Sequence, residues 1–321
     1  MSALGIPGLP RTVLRLHRSA LIVWGAFVAA LIGWLVWLNT VTSSAGERQR
    51  AYCDHHDTCN ILDQLNYGQR TVWVATLVCY SSLAVAAWSG ASLIGRELES
   101  GTAQLAWTQG VSPARWLAAK LAVPALLVTL GCTALVLAYR RAWSAHPGLR
   151  DGDWTSVVTF VARGPATVAY ALCALAVGTL TAMLLRRTLP ALGVSLAATW
   201  ALHLALEIFR EHLWPAVNRV TATEELWPRH AWVLESGAIR HGHRVAYTGT
   251  SPCEGNPAQV KQCAADLDIT GYYTVYHPQS HYWPLHLVET GVVLAVAVLA
   301  AVLAFRLLPR RTRAARKESL V

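Results

Sequence analysis

Charge is what this chain has least of. Only 14% of its residues are Asp, Glu, Lys or Arg, where a soluble domain carries roughly a quarter. Apolar residues make up 54% and come in long blocks instead of periodic stripes. Mean hydropathy is positive, at +0.35. This excludes an ordinary soluble enzyme and points to a membrane protein. Lysine is almost missing, since arginine supplies 24 of the 27 basic residues. The arginines are scattered through loops and tails, without a basic stripe interleaved with aromatics. That arginine excess is therefore read as a GC-rich bacterial coding bias and not, despite the net charge of +9, as a nucleic-acid footprint. The sequence has no Gly-x-x-x-x-Gly-Lys-Ser/Thr phosphate loop and no His-Glu-x-x-His, Gly-x-Ser-x-Gly or Ser-x-x-Lys string. Those absences exclude the familiar ATPase and hydrolase chemistries from this chain, so it is expected not to be an enzyme. No internal repeat is present.

Six segments are long and apolar enough to cross roughly 30 Å of hydrocarbon: 20–38, 72–93, 117–139, 165–185, 191–209 and 285–308. The first is longer than the roughly 7–15 residues of a signal-peptide core, and only a weak Ser43-Ser44-Ala45 site follows. It reads as a retained helix. The expected fold class is an all-α polytopic membrane protein. Positive-inside bias places pieces 1–19, 94–116, 186–190 and 309–321 inside, with Arg11, Arg15, Arg18, Arg96, Arg115, Arg186, Arg187, Arg310, Arg311, Arg313, Arg316 and Lys317. Arg140, Arg141 and Arg150 on an outside loop run against it. The expected location is a bacterial plasma membrane, with both termini cytoplasmic.

Cysteine agrees with that orientation. Cys53, Cys59, Cys253 and Cys263 fall in outside loops, whereas Cys79, Cys132 and Cys173 fall in spans. Four thiols on the oxidising side suggest disulfides. The local pairs Cys53–Cys59 and Cys253–Cys263 are the simplest of three possible pairings. Cys53-Asp54-His55-His56-Asp57-Thr58-Cys59 has metal-type ligands, but its spacing matches no standard zinc pattern, and no metal site is expected. Loop 210–284 is rich in aromatics, including Trp214, Trp227, Trp232, Tyr272, Tyr273 and Trp283. It is expected to be a small folded extracellular cap. Residues 309–321 form a basic tail.

Three stretches carry mechanism. In 1–19, Leu9, Val13, Leu16 and Ala20 share one helical face, with Arg11, Arg15 and Arg18 opposite. That pattern suits an amphipathic helix on the inner leaflet. In loop 94–116, Gly101 ends one helix, Thr102 to Thr108 form a short separate one closed by Gly110, and Ser112 caps a helix that has Pro113 at its first position. Such a slung helix is a lever that can dock a soluble protein, with Trp107 as apolar anchor. Glu97 and Glu99 point to different sides, one toward a partner and one toward the chain. In the spans, His203 and Glu207 are four apart and His286 and Glu289 three apart. Ionisable groups in a membrane are candidates for function, and these four are expected to cluster as a gate or substrate contact, or as a structural ion pair. Pro124 is expected to kink the third span.

The loop string Arg96-Glu97-Leu98-Glu99-x-Gly101-Thr102, followed by Thr108, Ser112, Arg115 and Trp116, resembles the permease subunits of ABC-2-type transporters, especially the actinobacterial branch. The stretch 276–290, approaching the last span, is similar to that branch too. The resemblance covers the whole topology. It implies a permease subunit of an ATP-driven exporter that forms the substrate pathway as a dimer. Its loop, through Arg96, Glu97, Glu99, Gly101, Thr102, Trp107, Thr108 and Arg115, would meet a separate ABC ATP-binding subunit. The chain itself would hold no cofactor, and ATP and Mg would sit on that partner. The rival reading is a non-transporting membrane sensor or assembly scaffold whose outer loop binds a ligand.

Overall fold

A computed structural model describes residues 8–56, 58–149, 153–223, 230–247, 252–253 and 255–318. The first seven residues, Asp57, Arg150 and Trp227, all used in the sequence reading, lie outside these. The chain divides into two compact units, Met1–Glu207 with Glu289–Val321, and Ile208–Val288.

The first unit is helical. Helix α1 (Gly8–Leu16) is followed by α2 (Arg18–Trp37), which passes through a π-helical turn, Leu38–Thr42, into α3 (Ser43–Cys53). Helix α4 (Leu62–Trp88) passes through a second π-helical turn, Ser89–Gly95, into α5 (Arg96–Glu99). Then come α6 (Thr102–Thr108), α7 (Pro113–Ala145), α8 (Val157–Ala162), α9 (Ala166–Leu185) and α10 (Thr188–Phe209). In the second unit lies α11 (Pro257–Asp266), and α12 (Tyr282–Glu318) closes the chain.

Among the described residues, six helices are long and apolar enough to span a membrane: Arg18–Cys53, Leu62–Glu99, Pro113–Ala145, Ala166–Leu185, Thr188–His212 and Gln279–Leu308. Five contain one of the six sequence blocks and most run beyond it, and the fourth, Ala166–Leu185, starts one residue inside its block. Hydrocarbon offers no hydrogen bonds, so a helix is the natural way to satisfy the backbone there. An apolar surface all round the helix is then no penalty.

Helix α9 is the enclosed one, with Ala169, Ala171, Cys173, Ala174 and Ala182 all buried. Small side chains let the other helices approach closely. A Cβ on Gly178 of α9 would collide with Ser89 Oγ, and one on Gly90 would lie 2.6 Å from Ser195 Oγ of α10. The π-helical turn Ser89–Gly95 is thus pressed between α9 and α10, and Ser89 Oγ donates to Ala174 O at 3.2 Å. The three span cysteines, Cys79, Cys132 and Cys173, are buried thiols. Pro124 is buried inside α7, which continues through it to Ala145.

Helix α1 packs on the other helices through part of its apolar face. Val13 and His17 are buried, while Leu16 is 58% exposed. The chain breaks helical form at His17 (φ −105°, ψ 20°) before α2 starts. The packing stripe therefore runs from Val13 to His17, one turn on, and does not pass through Leu16.

The second unit holds strands β1 (Val217–Thr221), β2 (Trp232–Arg240), β3 (His243–Ala246) and β4 (Ile269–His277), in one antiparallel sheet of order β1-β4-β2-β3. The β2–β3 hairpin turns at His241 and Gly242, both at positive φ, as a two-residue turn matched to strand twist requires. Asn256 and Gln259 make a reciprocal capping box at the start of α11. Tyr273, buried in β4, donates to Glu235 Oε1 at 2.5 Å. Burial first, then the Glu235 carboxylate, pushes its hydroxyl up to about 12. Among its described residues, the loop expected to be a small folded cap holds this sheet and α11, which the membrane-spanning pattern alone does not display. Disulfides join Cys53 to Cys59 and Cys253 to Cys263, with Cα atoms 5.3 and 5.7 Å apart.

Candidate functional site

The segment between α4 and α7 is punctuated by two left-handed glycines. Gly101 has φ 73° and Gly110 has φ 90°, values that residues with a Cβ rarely adopt. Between them sits α6. Ser112 then caps α7, accepting from Arg115 N at 3.4 Å, with Pro113 in the first turn. Both carboxylates of α5 reach other spans, Glu97 from a half-buried position and Glu99 from an exposed one. Glu97 forms an ion pair with Lys120 of α7, at side-chain exposures of 16% and 5%. Glu99 accepts from the backbone N–H of Thr188 at 2.8 Å and also from its hydroxyl. Thr188 begins α10, so a carboxylate there also meets the positive end of the helix dipole. The sequence reading gave one of these carboxylates to a partner, but both are tied to other spans of the chain.

Lys120 also meets His17, whose Nε2 lies 3.0 Å from its Nζ. Burial, then the Lys120 charge, lowers the His17 pKa to about 4. His17 is therefore neutral at neutral pH, and its ring nitrogen accepts from an ammonium that only donates. Removing one member of such a buried pair strands the other charge.

Trp107 is turned toward the chain. It meets Trp116 edge-to-face at 5.7 Å and packs on the core cluster containing Ile94, Leu117 and Ala103. The exposed apolar residue of α6 is Leu105, at 60%, flanked by exposed Gln104 and Thr108. Arg96 and Arg115 are exposed. Thr102 Oγ1 lies 3.0 Å from Ser100 Oγ.

Deeper in the unit is a buried polar chain. Ser82 Oγ of α4 lies 2.9 Å from His203 Nε2 of α10. The His203 ring stacks on Tyr170 of α9 at 3.8 Å and 11°. Tyr170 donates to Glu289 Oε1 of α12 at 2.9 Å. All four are buried. Two of the four predicted polar residues, His203 and Glu289, are thus joined through Tyr170. Glu207, one turn after His203, is exposed. His286 belongs to the second unit, where it is buried and stacks on Tyr282 at 5.3 Å.

Sequence reasoning missed Lys120, His17, Tyr170 and Ser82. Lys120 was detectable, as the one lysine inside an apolar block and thus a default functional candidate. Tyr170 and Ser82 give no such signal, because a tyrosine or serine in a span reads as packing.

No curated protein and no solved structure matches the chain. The family described as ABC-2 membrane transporter related matches residues 25–210. This region runs from the first span through the fifth and includes the glycine-punctuated segment, Lys120 and His203. It is more than half of the sequence, and the chain therefore belongs to the ABC-2 membrane transporter related family, as a membrane subunit of a transporter.

Proposed function

We propose that this chain is the permease subunit of an ATP-driven exporter. Two copies form the substrate pathway, and two separate ATP-binding chains, which hold the ATP and Mg, drive it. The termini and the α5–α6 segment face the cytoplasm of a bacterial plasma membrane, in accord with the arginine placement. One observation carries the reading. A short helix, α6, is set off by left-handed glycines, while the two carboxylates just before it reach two different spans, Glu97 to Lys120 of α7 and Glu99 to Thr188 of α10. A partner that moves α6 therefore moves both spans. Leu105 is the docking contact, and Trp107, packed on Trp116, passes the load to α7. ATP binding draws the two α6 helices together and switches the spans between inward and outward access. The Ser82–His203–Tyr170–Glu289 chain links α4, α9, α10 and α12 and serves as a gate that this motion repacks.

The test is co-purification of the permease with the ATP-binding chain of its own operon. Leu105→Asp is expected to lose that chain while the permease stays folded. An unchanged complex would remove α6 as the docking site. If the wild type captures no ATP-binding chain at all, the sensor or scaffold reading takes its place.

A further inference from the structure

A cavity of about 1340 Å³ lies within the helical unit, walled by α1, α2, α4, α5, α6 and α7. Pockets for small ligands usually measure roughly 300–1,000 Å³, so this one has room for something longer. Its wall is of two kinds. At one end stand Lys120, Arg96, Glu97 and His17. His17 is neutral at neutral pH, which leaves two positive charges against one negative. The rest is apolar and aromatic, with Trp24, Phe27, Leu77, Tyr80, Trp88 and Leu127. Along α4 and the π-helical turn after it, the lining recurs every three or four residues from Thr76 to Arg96. That is one helical face. At about 1.5 Å per residue it runs roughly 30 Å, the thickness of the hydrocarbon core.

The charged end has unused donor capacity. An ammonium carries three N–H groups, and Glu97 and His17 take two of those on Lys120. Lys120 and the exposed Arg96 both line a cavity that has more positive charge than negative. The apolar wall is held in place by Trp24, whose indole N–H donates to Leu127 O at 3.3 Å.

We propose that this cavity binds one anionic amphiphile, its acidic headgroup against Lys120 and Arg96 and its apolar chain along α2, α4 and α7. Both the excess charge at one end and the apolar length of the rest are needed for that ligand class. A neutral apolar molecule would leave the charges unmet, and a small free anion would leave the long apolar wall empty. Glu97, Ser100 and Thr102 of the glycine-punctuated segment also line the cavity, so occupancy fixes where that segment sits. The inference does not rest on the transport reading, because binding is a property of this chain alone.

The test uses the full chain in detergent, with native mass spectrometry counting retained molecules. The probes are phosphatidylglycerol, phosphatidylcholine and oleate. The expected result is one phosphatidylglycerol or one oleate per chain, retained in preference to phosphatidylcholine. Retention of phosphatidylglycerol alone identifies a membrane lipid as the source, and retention of oleate alone identifies a free amphiphile. Ala84→Trp, or Leu77→Trp as a second variant, fills the apolar section from an exposed position and abolishes retention. Arg96→Gln weakens anionic binding about fivefold, the effect of losing roughly 1 kcal/mol of attraction per cationic side chain. Equal retention of phosphatidylcholine and the anionic probes would overturn the proposal. So would undiminished retention in a folded Ala84→Trp or Leu77→Trp protein.

Discussion

The helical unit ties ionisable side chains to its spans in two places, and they are built differently. Around α5, Glu97 and Glu99 are met by a lysine and by the start of a helix, across a segment that two left-handed glycines free from the helices on either side. Between α4, α9, α10 and α12, Glu289 and His203 are met by a tyrosine hydroxyl, an aromatic face and a serine. Helix α4 continues there into the π-helical turn pressed against α9 and α10 through Gly178 and Gly90. The first arrangement uses strong, long-reaching charge to hold parts that the backbone leaves free. The second uses directional neutral groups to register parts that packing already holds. A lever needs the first, and a gate with discrete positions needs the second, since close-packed interfaces shift between arrangements and do not deform continuously.

Breaking the charge pair has the largest expected effect. Lys120→Met leaves Glu97 without its partner and lowers unfolding stability by about 3–5 kcal/mol. The double variant Lys120→Met/Glu97→Leu recovers most of it. Thermal unfolding of the purified chain checks this, and a double variant as unstable as the single one would mean that the lysine acts by packing. Tyr170→Phe keeps the stack on His203 and deletes only the hydroxyl that Glu289 accepts, a loss of about 1.5–3 kcal/mol. No measurable change in unfolding temperature would show that this hydrogen bond does not register the four helices.

Acid sharpens the comparison, because it acts on His17. The folded chain lowers the pKa of His17 to about 4 from its ordinary 6.5, so the unfolded chain takes up the proton first. The stabilisation is complete above about pH 6.5 and is lost as pH falls toward 4. Amide protection of α1 should fall over that window, and it should stay flat in His17→Gln. The smallest stability effect belongs to Leu105→Asp, within about 0.5 kcal/mol of wild type as for other exposed positions. Its whole effect is expected in loss of the ATP-binding chain.

The membrane architecture was legible because six apolar blocks are each about long enough for a bilayer crossing. The ends of α6 were legible because Gly101, Gly110, Ser112 and Pro113 each meet a local backbone requirement. The local cysteine pairs were the simplest choice of three, and geometry selects them. What stayed illegible depends on contacts distant in sequence. Helical spacing puts Glu207 beside His203, but only the packing of α9 shows that His203 is enclosed while Glu207 is exposed. The aromatic content of 210–284 announced a folded unit. Its strand order needs the register of β4 between β1 and β2, which no local pattern carries. Trp107 read as an apolar anchor for a partner because buried aromatics carry much of an interface's energy, and its packing against Trp116 was not visible in the sequence.

The central claim is that motion of α6 reaches the spans through its flanking carboxylates. Spin labels at Leu204 of α10 and Val298 of α12, both exposed, would report on it in the permease bound to its ATP-binding chain, by distance measurement with and without ATP and Mg. The account predicts that the distance between the labels changes on ATP binding in the wild type and not in Glu99→Gln, while the ATP-binding chain stays attached to both. The same change in Glu99→Gln as in wild type would contradict it.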